Sequence, residues 1–441
     1  MRRVEETPLG EAEVNESREA RAAAVARVVA AVLLVLVTVT MVLKFRAGDF
    51  KDAEVWYDAG RRVLTGETLT QLPHYRYPPT FAVLVAPLCA LPFAAFFFLW
   101  YGLNVALLAV SARLAVRLAI PEGVAVEPRY YWLPSLLVAV FAVDNWFLGQ
   151  TNILIMALMY WTFLESSRGR EWLGGLPLGA AIAIKAFPAP VLAYFLFRGR
   201  VRLVAATVLS CGFFLLLVPG PARGFGRNLV EVRDWGDRVV MPYLSRGEAG
   251  DWGQHSLDFG NQSLPAVARR YLTQVDAYVA ARERGTPMYV NFVDLRESQV
   301  NAVVLGLFAA LAAAFVAACG WRRPRSPEAQ AVEYSLVLTM LLMVSAISWT
   351  YFFVVLLLPI TVALRLLKVP GRLGGFSSTA LRVSLWGLVL ATVLLANHYA
   401  RAMGSLFWAT VVMFAALAIA GRDLRRRQPM EQPRTEASVP S

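Results

Sequence analysis

Long apolar runs broken by short polar or basic stretches set the pattern of this chain. A spanning helix needs about twenty mostly apolar residues, because hydrocarbon offers backbone amides and carbonyls no partners. Runs of that kind begin near Ala24 and end near Ile419, so the pattern predicts an all-α polytopic membrane protein with about twelve crossings. The first run, about Ala24 to Leu43, follows a mixed-charge head and has no small-residue cleavage site after it, which reads as a retained span rather than a signal peptide. Pro78 to Ala112 is too long for one straight span and is interrupted by Pro87 and Pro92, so its first part is expected to enter as a broken or re-entrant piece. Gly174 to Phe197 has Arg168 and Arg170 before it and Arg198 to Arg202 after it. Charge balance favours a hairpin of two short halves reversing at Lys185, Pro188 and Pro190, because a single crossing would leave one Arg cluster outside. The remaining crossings are read at Tyr131–Leu148, Ile153–Leu164, Val201–Val218, Val300–Cys319, Val332–Ile347, Phe352–Leu367, Leu381–Ala396 and Leu406–Ile419.

Two polar segments between these runs are too long to be simple connections: an outer loop at 44–79 and a larger one at 219–299. Within the first, Val55, Trp56 and Ala59 recur at helical spacing and Gly66 follows as a stop, predicting a short interfacial helix over Ala53–Leu64 with Trp56 and Tyr57 at the membrane boundary. Residues 1–22 and 421–441 are polar and expected to be disordered at the cytoplasmic face, leaving 23–420 as one multi-span domain.

Composition agrees with this reading: 57% of residues are apolar and only 17% charged, against roughly a quarter charged in an average soluble domain. The net charge of +12 does not point to nucleic acid, since the Arg residues gather beside the apolar runs as the positive-inside rule requires and form no basic face. Cys89, Cys211 and Cys319 lie within or at the end of apolar runs and read as packing residues. With no CxxC or HExxH pattern, neither a metal nor a cofactor is expected.

Four features share the outer face in this topology: the first loop, the Gly149–Asn152 turn, the large loop and the Ser348–Thr350 turn. A site built from them opens to lipid on one side and water on the other, where an enzyme using a lipid-linked substrate works. The first loop offers the carboxylates Asp49, Asp52, Glu54 and Asp58. Asp52 and Asp49 suit a general base, since partial desolvation near an apolar boundary raises a carboxylate's pKa toward the working range. Lys185 lies within an apolar run, where a cation is functional, paired or snorkelling; a functional one holds phosphate as a point charge. Arg61, Arg62, Arg269 and Arg270 offer bidentate contacts to phosphate or headgroups. His74, His255 and His398 are scattered without ligand spacing, and Asn261–Ser263 fits the short glycosylation pattern.

The pieces DAEVWYDAG with LTG after it, YRYPPTFAVLVAPLCALP, FLGQTNILI, GAAIAIKAFPAP followed by RGRVR, GNQSLPAVARR and SAISW occur in that order. Together they resemble the glycosyltransferase 87 family, which includes bacterial polyprenyl-phosphate-mannose-dependent mannosyltransferases. The resemblance runs from about Asp49 to Trp349, with weaker patterning to about Ala420. It implies a C-type glycosyltransferase fold, with a catalytic Asp in the first outer loop and a polyprenyl-phosphate sugar as donor. Asp52 is the best match for that Asp and Asp49 the alternative. The family's lysine matches Lys185, its GQ-N turn matches Gly149, Gln150 and Asn152, and its NQS segment matches Asn261, Gln262 and Ser263. Tyr77 and Trp349 belong to the matching motifs; with Arg269 they complete the residues expected to bind substrate. Many members carry a His shortly after the SW pair, whereas this chain reads Trp349, Thr350, Tyr351, Phe352, so that His has no counterpart to inherit its role.

The resulting expectation is an inverting hexosyltransferase, with mannose as the sugar, using a lipid-linked donor and a lipid or glycan acceptor at the outer face of the cell membrane. Membrane lipids are its other partners, and nucleic acid is not one. A transporter or flippase of a lipid-linked sugar would share the apolar bulk and the midplane Lys, but predicts internal repeats that are not apparent. A non-catalytic membrane scaffold would leave the outer carboxylates replaceable.

Overall fold

A computed structural model of the chain describes residues 9–48, 52–70, 72–246, 250–278, 286–324, 326–369, 371 and 373–426. Among the described residues the secondary structure is helical, and seven helices are long and apolar enough to cross a membrane. An eighth crossing results if the bent pair α5 and α6 counts as one span. The protein is an all-α polytopic membrane protein. The twelve or so crossings expected from sequence are not all reached by this criterion, since several of the expected stretches form shorter helices.

Helix α1 (Leu9–Arg46) carries the first span. It already starts at Leu9, so the part of the head from 9 to 22 is helical rather than disordered; its Ala, Glu and Arg residues are strong helix formers. Helix α2 (Asp52–Thr65) is the short helix expected in the first loop. Trp56 departs from expectation: it is buried, not interfacial, because its indole N–H finds a carbonyl deep in the protein, Gly149 O at 2.7 Å. Helices α3 (Pro79–Cys89) and α4 (Phe93–Ala119) are the broken entry and the crossing, with the break at Ala90–Pro92. Gly60 of α2 lies so close to Cys89 that an added Cβ would meet its Sγ at 2.3 Å. That contact holds α2 down on α3.

Helices α5 (Arg129–Leu137) and α6 (Ala139–Leu148) meet at a 59° bend. Helix α7 (Asn152–Ser167) returns, and α8 (Glu171–Ile184) and α9 (Val191–Phe197) form the expected hairpin around Lys185. Its closure is visible in the ion pair from Arg200, just past α9, to Glu171 at the start of α8 (2.8 Å). Helix α10 (Val201–Gly212) packs tightly on α8: a Cβ on Gly175 would lie 2.4 Å from the Ala206 side chain, and one on Gly179 2.5 Å from that of Ser210.

The large loop folds into α11 (Gly220–Arg223), α12 (Phe225–Trp235), a π-helical turn at Gly236–Val240, α13 (Met241–Arg246), a 3-10 stretch at Gly250–Leu257 and α14 (Leu264–Leu272). Then follow α15 (Glu297–Cys319), α16 (Pro327–Val344), a 3-10 turn at Thr350–Leu356 leading into α17 (Leu357–Lys368), α18 (Gly375–Val393), α19 (His398–Ala402) and α20 (Ser405–Arg426). Because α20 extends to Arg426, residues 421–426 are helical too, and the rest of the expected tail lies outside the described residues. The span Thr350–Lys368 is the bundle's centre, with 78% of its apolar window buried in protein, against 6% for Arg27–Arg46 at the periphery.

Candidate functional site

The end of α6 sets the site. Gly149 takes a left-handed conformation (φ 70°), and a Cβ there would also meet the Ala53 side chain at 2.9 Å. Only glycine satisfies both constraints. Its carbonyl accepts from two indoles, Trp56 Nε1 (2.7 Å) and Trp100 Nε1 (2.9 Å), which ties the turn to α2 and α4. Asn145 fixes the residues that follow, donating to Gln150 O (3.1 Å) and accepting from Asn152 N (3.2 Å). Gln150 and Asn152 are buried and rigidly presented.

Their side chains spend their hydrogen bonds on ionisable groups. Gln150 Nε2 donates to Asp52 Oδ2, while its Oε1 accepts from Tyr77 OH (3.2 Å) and lies 3.5 Å from Lys185 Nζ. Asn152 Oδ1 accepts from Lys185 Nζ at 2.7 Å. One amide thus bridges an acid and a cation. Lys185 stands where α8 breaks into extended backbone, and Tyr77, Tyr351 and Phe352 surround its ammonium at 5.5, 5.5 and 4.3 Å from their ring centres. Such cation–aromatic contacts contribute about 0.5–2 kcal/mol each and hold a charge where water is scarce. Two of these rings, Tyr351 and Phe352, follow the Ser348–Trp349 pair within the same turn.

These groups face a cavity of about 450 Å³. Asp52, Tyr77, Gln150, Lys185 and Trp349, all expected from sequence, line it, and Asn152 supports it through Lys185. Asp52 is half-buried, and burial raises its carboxyl above the ordinary range, while the Gln150 hydrogen bond and then the charges of Lys185, Arg76 and His74 pull it back. Glu54 and Asp58 are exposed and do not line the cavity. Asp49 lies outside the described residues.

Three expected residues are not brought to this cavity. Asn261 and Gln262 are fully buried behind its wall, and their amides are consumed by backbone. Asn261 donates to Ser256 O and Ala346 O and accepts from Ser263 N and Ser348 N; Gln262 donates to Phe259 O and Arg401 O and accepts from Leu406 N. This burial also removes Asn261 as an accessible glycosylation point. Arg269 donates to Asn301 Oδ1 (2.7 Å) on α15.

Sequence reading missed Arg76, His74, Trp235 and Tyr243, which also line the cavity. Arg76 and His74 sit in the YRYPP approach, and His74 holds an unusual positive φ of 61°; their nearness to Tyr77 was the available signal. Trp235 and Tyr243 come from the large loop, which folds back over the first. The lock between the two loops is the buried pair Arg223–Glu231, with Glu231 Oε1 accepting Leu69 N (3.1 Å) and Arg223 Nη2 donating to Glu67 O (2.6 Å). Trp235 Nε1 closes the same seam on Arg76 O (3.1 Å).

Helical bundle and cavity together define a polytopic membrane protein with a paired acid and cation at one end of its spans. The chain belongs to glycosyltransferase family 87, whose sequence model matches residues 75–346. That match takes in Tyr77, Gln150, Asn152 and Lys185 and begins after Asp52. Among curated relatives, the chain is 32% identical over 186 residues to an Alpha-(1->3)-arabinofuranosyltransferase of Mycobacterium tuberculosis, covering 40% of this chain and 42% of the relative. It is 26% identical over 202 residues (44% and 42%) to a Polyprenol-phosphate-mannose-dependent alpha-(1-2)-phosphatidylinositol pentamannoside mannosyltransferase of the same organism. It is 29% identical over 193 residues (36% and 41%) to a Polyprenol-phosphate-mannose-dependent alpha-(1-2)-phosphatidylinositol mannoside mannosyltransferase of Mycolicibacterium smegmatis. The chain thus spans about two-fifths of the length of these curated relatives. No solved structure matches it significantly.

Proposed function

We propose that this membrane glycosyltransferase moves a sugar, mannose by preference, from a polyprenyl-phosphate donor to a lipid or glycan acceptor at the outer face of the cytoplasmic membrane, with Asp52 as general base. The observation that carries this reading is the half-buried Asp52 held through Gln150 beside Lys185 in one cavity, in a chain of this family. Asp52 takes the proton of an acceptor hydroxyl as its oxygen bonds to the anomeric carbon. The bond from that carbon to the phosphate oxygen breaks, and polyprenyl phosphate leaves with the electron pair. Attack opposite the leaving group inverts the anomeric centre. Lys185 and Arg76 are the cations placed to meet the charge that grows on the departing phosphate. Mannose follows the donor named for two of the relatives; the arabinofuranosyl relative makes a pentofuranose the second sugar to try.

The test is reconstitution with polyprenyl-phosphate mannose and, separately, polyprenyl-phosphate arabinofuranose, following transfer in wild type and in Asp52→Asn. Transfer by wild type that collapses in the variant supports the reading. Unchanged turnover in the variant removes Asp52 as the base. Movement of donor across the bilayer without transfer would make the protein a flippase instead.

A further inference from the structure

At the other end of α8 from Lys185 lies a second, polar pocket of about 240 Å³, lined by Ser166, Ser167, Arg198, Arg200, Arg323 and Gln330. The fourteen residues of α8 put roughly 20 Å between the two. We propose that this pocket binds the phosphate of an anionic phospholipid from the leaflet opposite the Asp52 cavity.

The charges in the pocket are unequal. Arg198 is spoken for: its Nε reaches Glu333 Oε2 at 2.9 Å and its Nη1 bonds the carbonyls of Gly320 and Arg322. Arg200 is paired with Glu171 (2.8 Å). Arg323 meets no carboxylate among the described residues; it donates to two carbonyls, Arg198 O (2.9 Å) and Gly199 O (3.1 Å), and remains exposed. Buried Arg198 therefore builds the floor, and Arg323 brings the uncompensated positive charge. The first turns of α10 and α16, beginning at Val201 and Pro327, start beside the pocket and add the partial positive charge of helix N-termini. Ser167 and Gln330 supply neutral polar atoms around it.

The surroundings say which kind of anion fits. Exposed apolar side chains stand next in the chain to the pocket's residues and their ion pair: Leu196 (57% exposed) beside Phe195, Val201 (66%) beside Arg200 and Trp172 (56%) beside Glu171. Trp321 (81%) stands two positions before Arg323, where it packs on Phe197 with ring centres 5.6 Å apart. Exposed aliphatic and indole groups around a basic hollow at the ends of spanning helices suit an amphiphile, with its phosphate inside and its chains along the helices. Free phosphate would use the hollow and leave that rim bare.

The proposal does not depend on what the Asp52 cavity catalyses. Delipidated protein in detergent would be titrated with dioleoylphosphatidylglycerol, dioleoylphosphatidylcholine or inorganic phosphate, reading bound lipid by native mass spectrometry and melting temperature in parallel. Phosphatidylglycerol should be retained and stabilise, phosphatidylcholine and inorganic phosphate much less. Arg323→Ala should weaken phosphatidylglycerol about fivefold, the size of one cation near a membrane surface. Gln330→Glu should weaken it while keeping the fold, because a carboxylate suits the first turns of α16 and can accept from Tyr334 OH, the present partner of Gln330. Equal retention of the two lipids, equal retention by wild type and Gln330→Glu, or inorganic phosphate that stabilises as well as the lipid would each overturn the proposal.

Discussion

Two buried polar turns, Gly149–Asn152 and Asn261–Ser263, look alike in sequence, each short and amide-rich. In the folded chain they do opposite things. Gln150 and Asn152 aim their amides at Asp52, Tyr77 and Lys185, groups that can change charge or meet a ligand. Asn261 and Gln262 aim theirs at main-chain N–H and C=O groups, knitting the Ser345–Trp349 wall and α19–α20 onto α14. Partner type therefore separates them: an amide bonded to ionisable side chains tunes chemistry, and an amide bonded to backbone replaces a missing piece of secondary structure.

The sharpest test lies on the first turn's side. Asp52→Asn keeps the size and the hydrogen-bonding reach of the residue but cannot take a proton, so the transfer rate should fall by about 10²- to 10⁴-fold, with the melting temperature near that of wild type. A variant with unaltered rate would dissolve the contrast at its active end.

Lys185→Met comes next. Removing one preorganised charge from a site of developing negative charge costs about 10²-fold or more in rate, while stability should hold or rise, since a half-buried ammonium is exchanged for a flexible apolar chain. A large loss of melting temperature with the rate per folded molecule intact would make Lys185 part of the scaffold.

For Asn261→Ala the expectation reverses. Four hydrogen bonds vanish, leaving two main-chain N–H groups, of Ser263 and Ser348, without that acceptor. Unsatisfied buried groups cost about 1–3 kcal/mol each, so stability should drop by several kcal/mol in a denaturation series. Asn261→Asp, which keeps the acceptor, should recover part of it. Should Asn261→Ala melt like wild type but raise the KM for donor, Asn261 would join the substrate contacts.

The cavity side of this contrast was readable from the chain. Lys185 inside an apolar run is costly enough to demand a partner, and the long first loop advertised its carboxylates. Asp52 and Lys185, 133 positions apart (185 − 52), do meet across Gln150. What sequence could not give was the direction in which buried amides point, because NQS and GQ-N carry the same donors and acceptors. The large loop was opaque for another reason. Helix α12 inverts the usual pattern, burying Asn228 and Glu231 against protein while Phe225, Leu229 and Val230 stay exposed. An amphipathic helix of this kind signals two faces but not which one is lipid. Trp235 and Tyr243 could be placed in the cavity only after Arg223 and Glu231 were seen to dock that loop on Glu67 and Leu69.

The smallest expected effect is also the most discriminating between the two turns. Burial raises the Asp52 carboxyl, and the Gln150 hydrogen bond is the largest of the influences that lower it again. In the proposed role of Asp52 only the ionised carboxylate can act as base, so kcat/KM should fall as pH drops through its pKa, on a limb above that of an ordinary carboxylate. Gln150→Leu removes a donor to the ionised form, which shifts the carboxyl further up and moves the acid limb to higher pH. Well above the limb Asp52 is ionised in both proteins, and that part of the difference should disappear. Gln262→Leu, whose amide touches only backbone, must leave the limb where it is whatever it does to stability. A limb that moves in both variants, or in neither, would mean that the two turns differ in sequence position and not in kind.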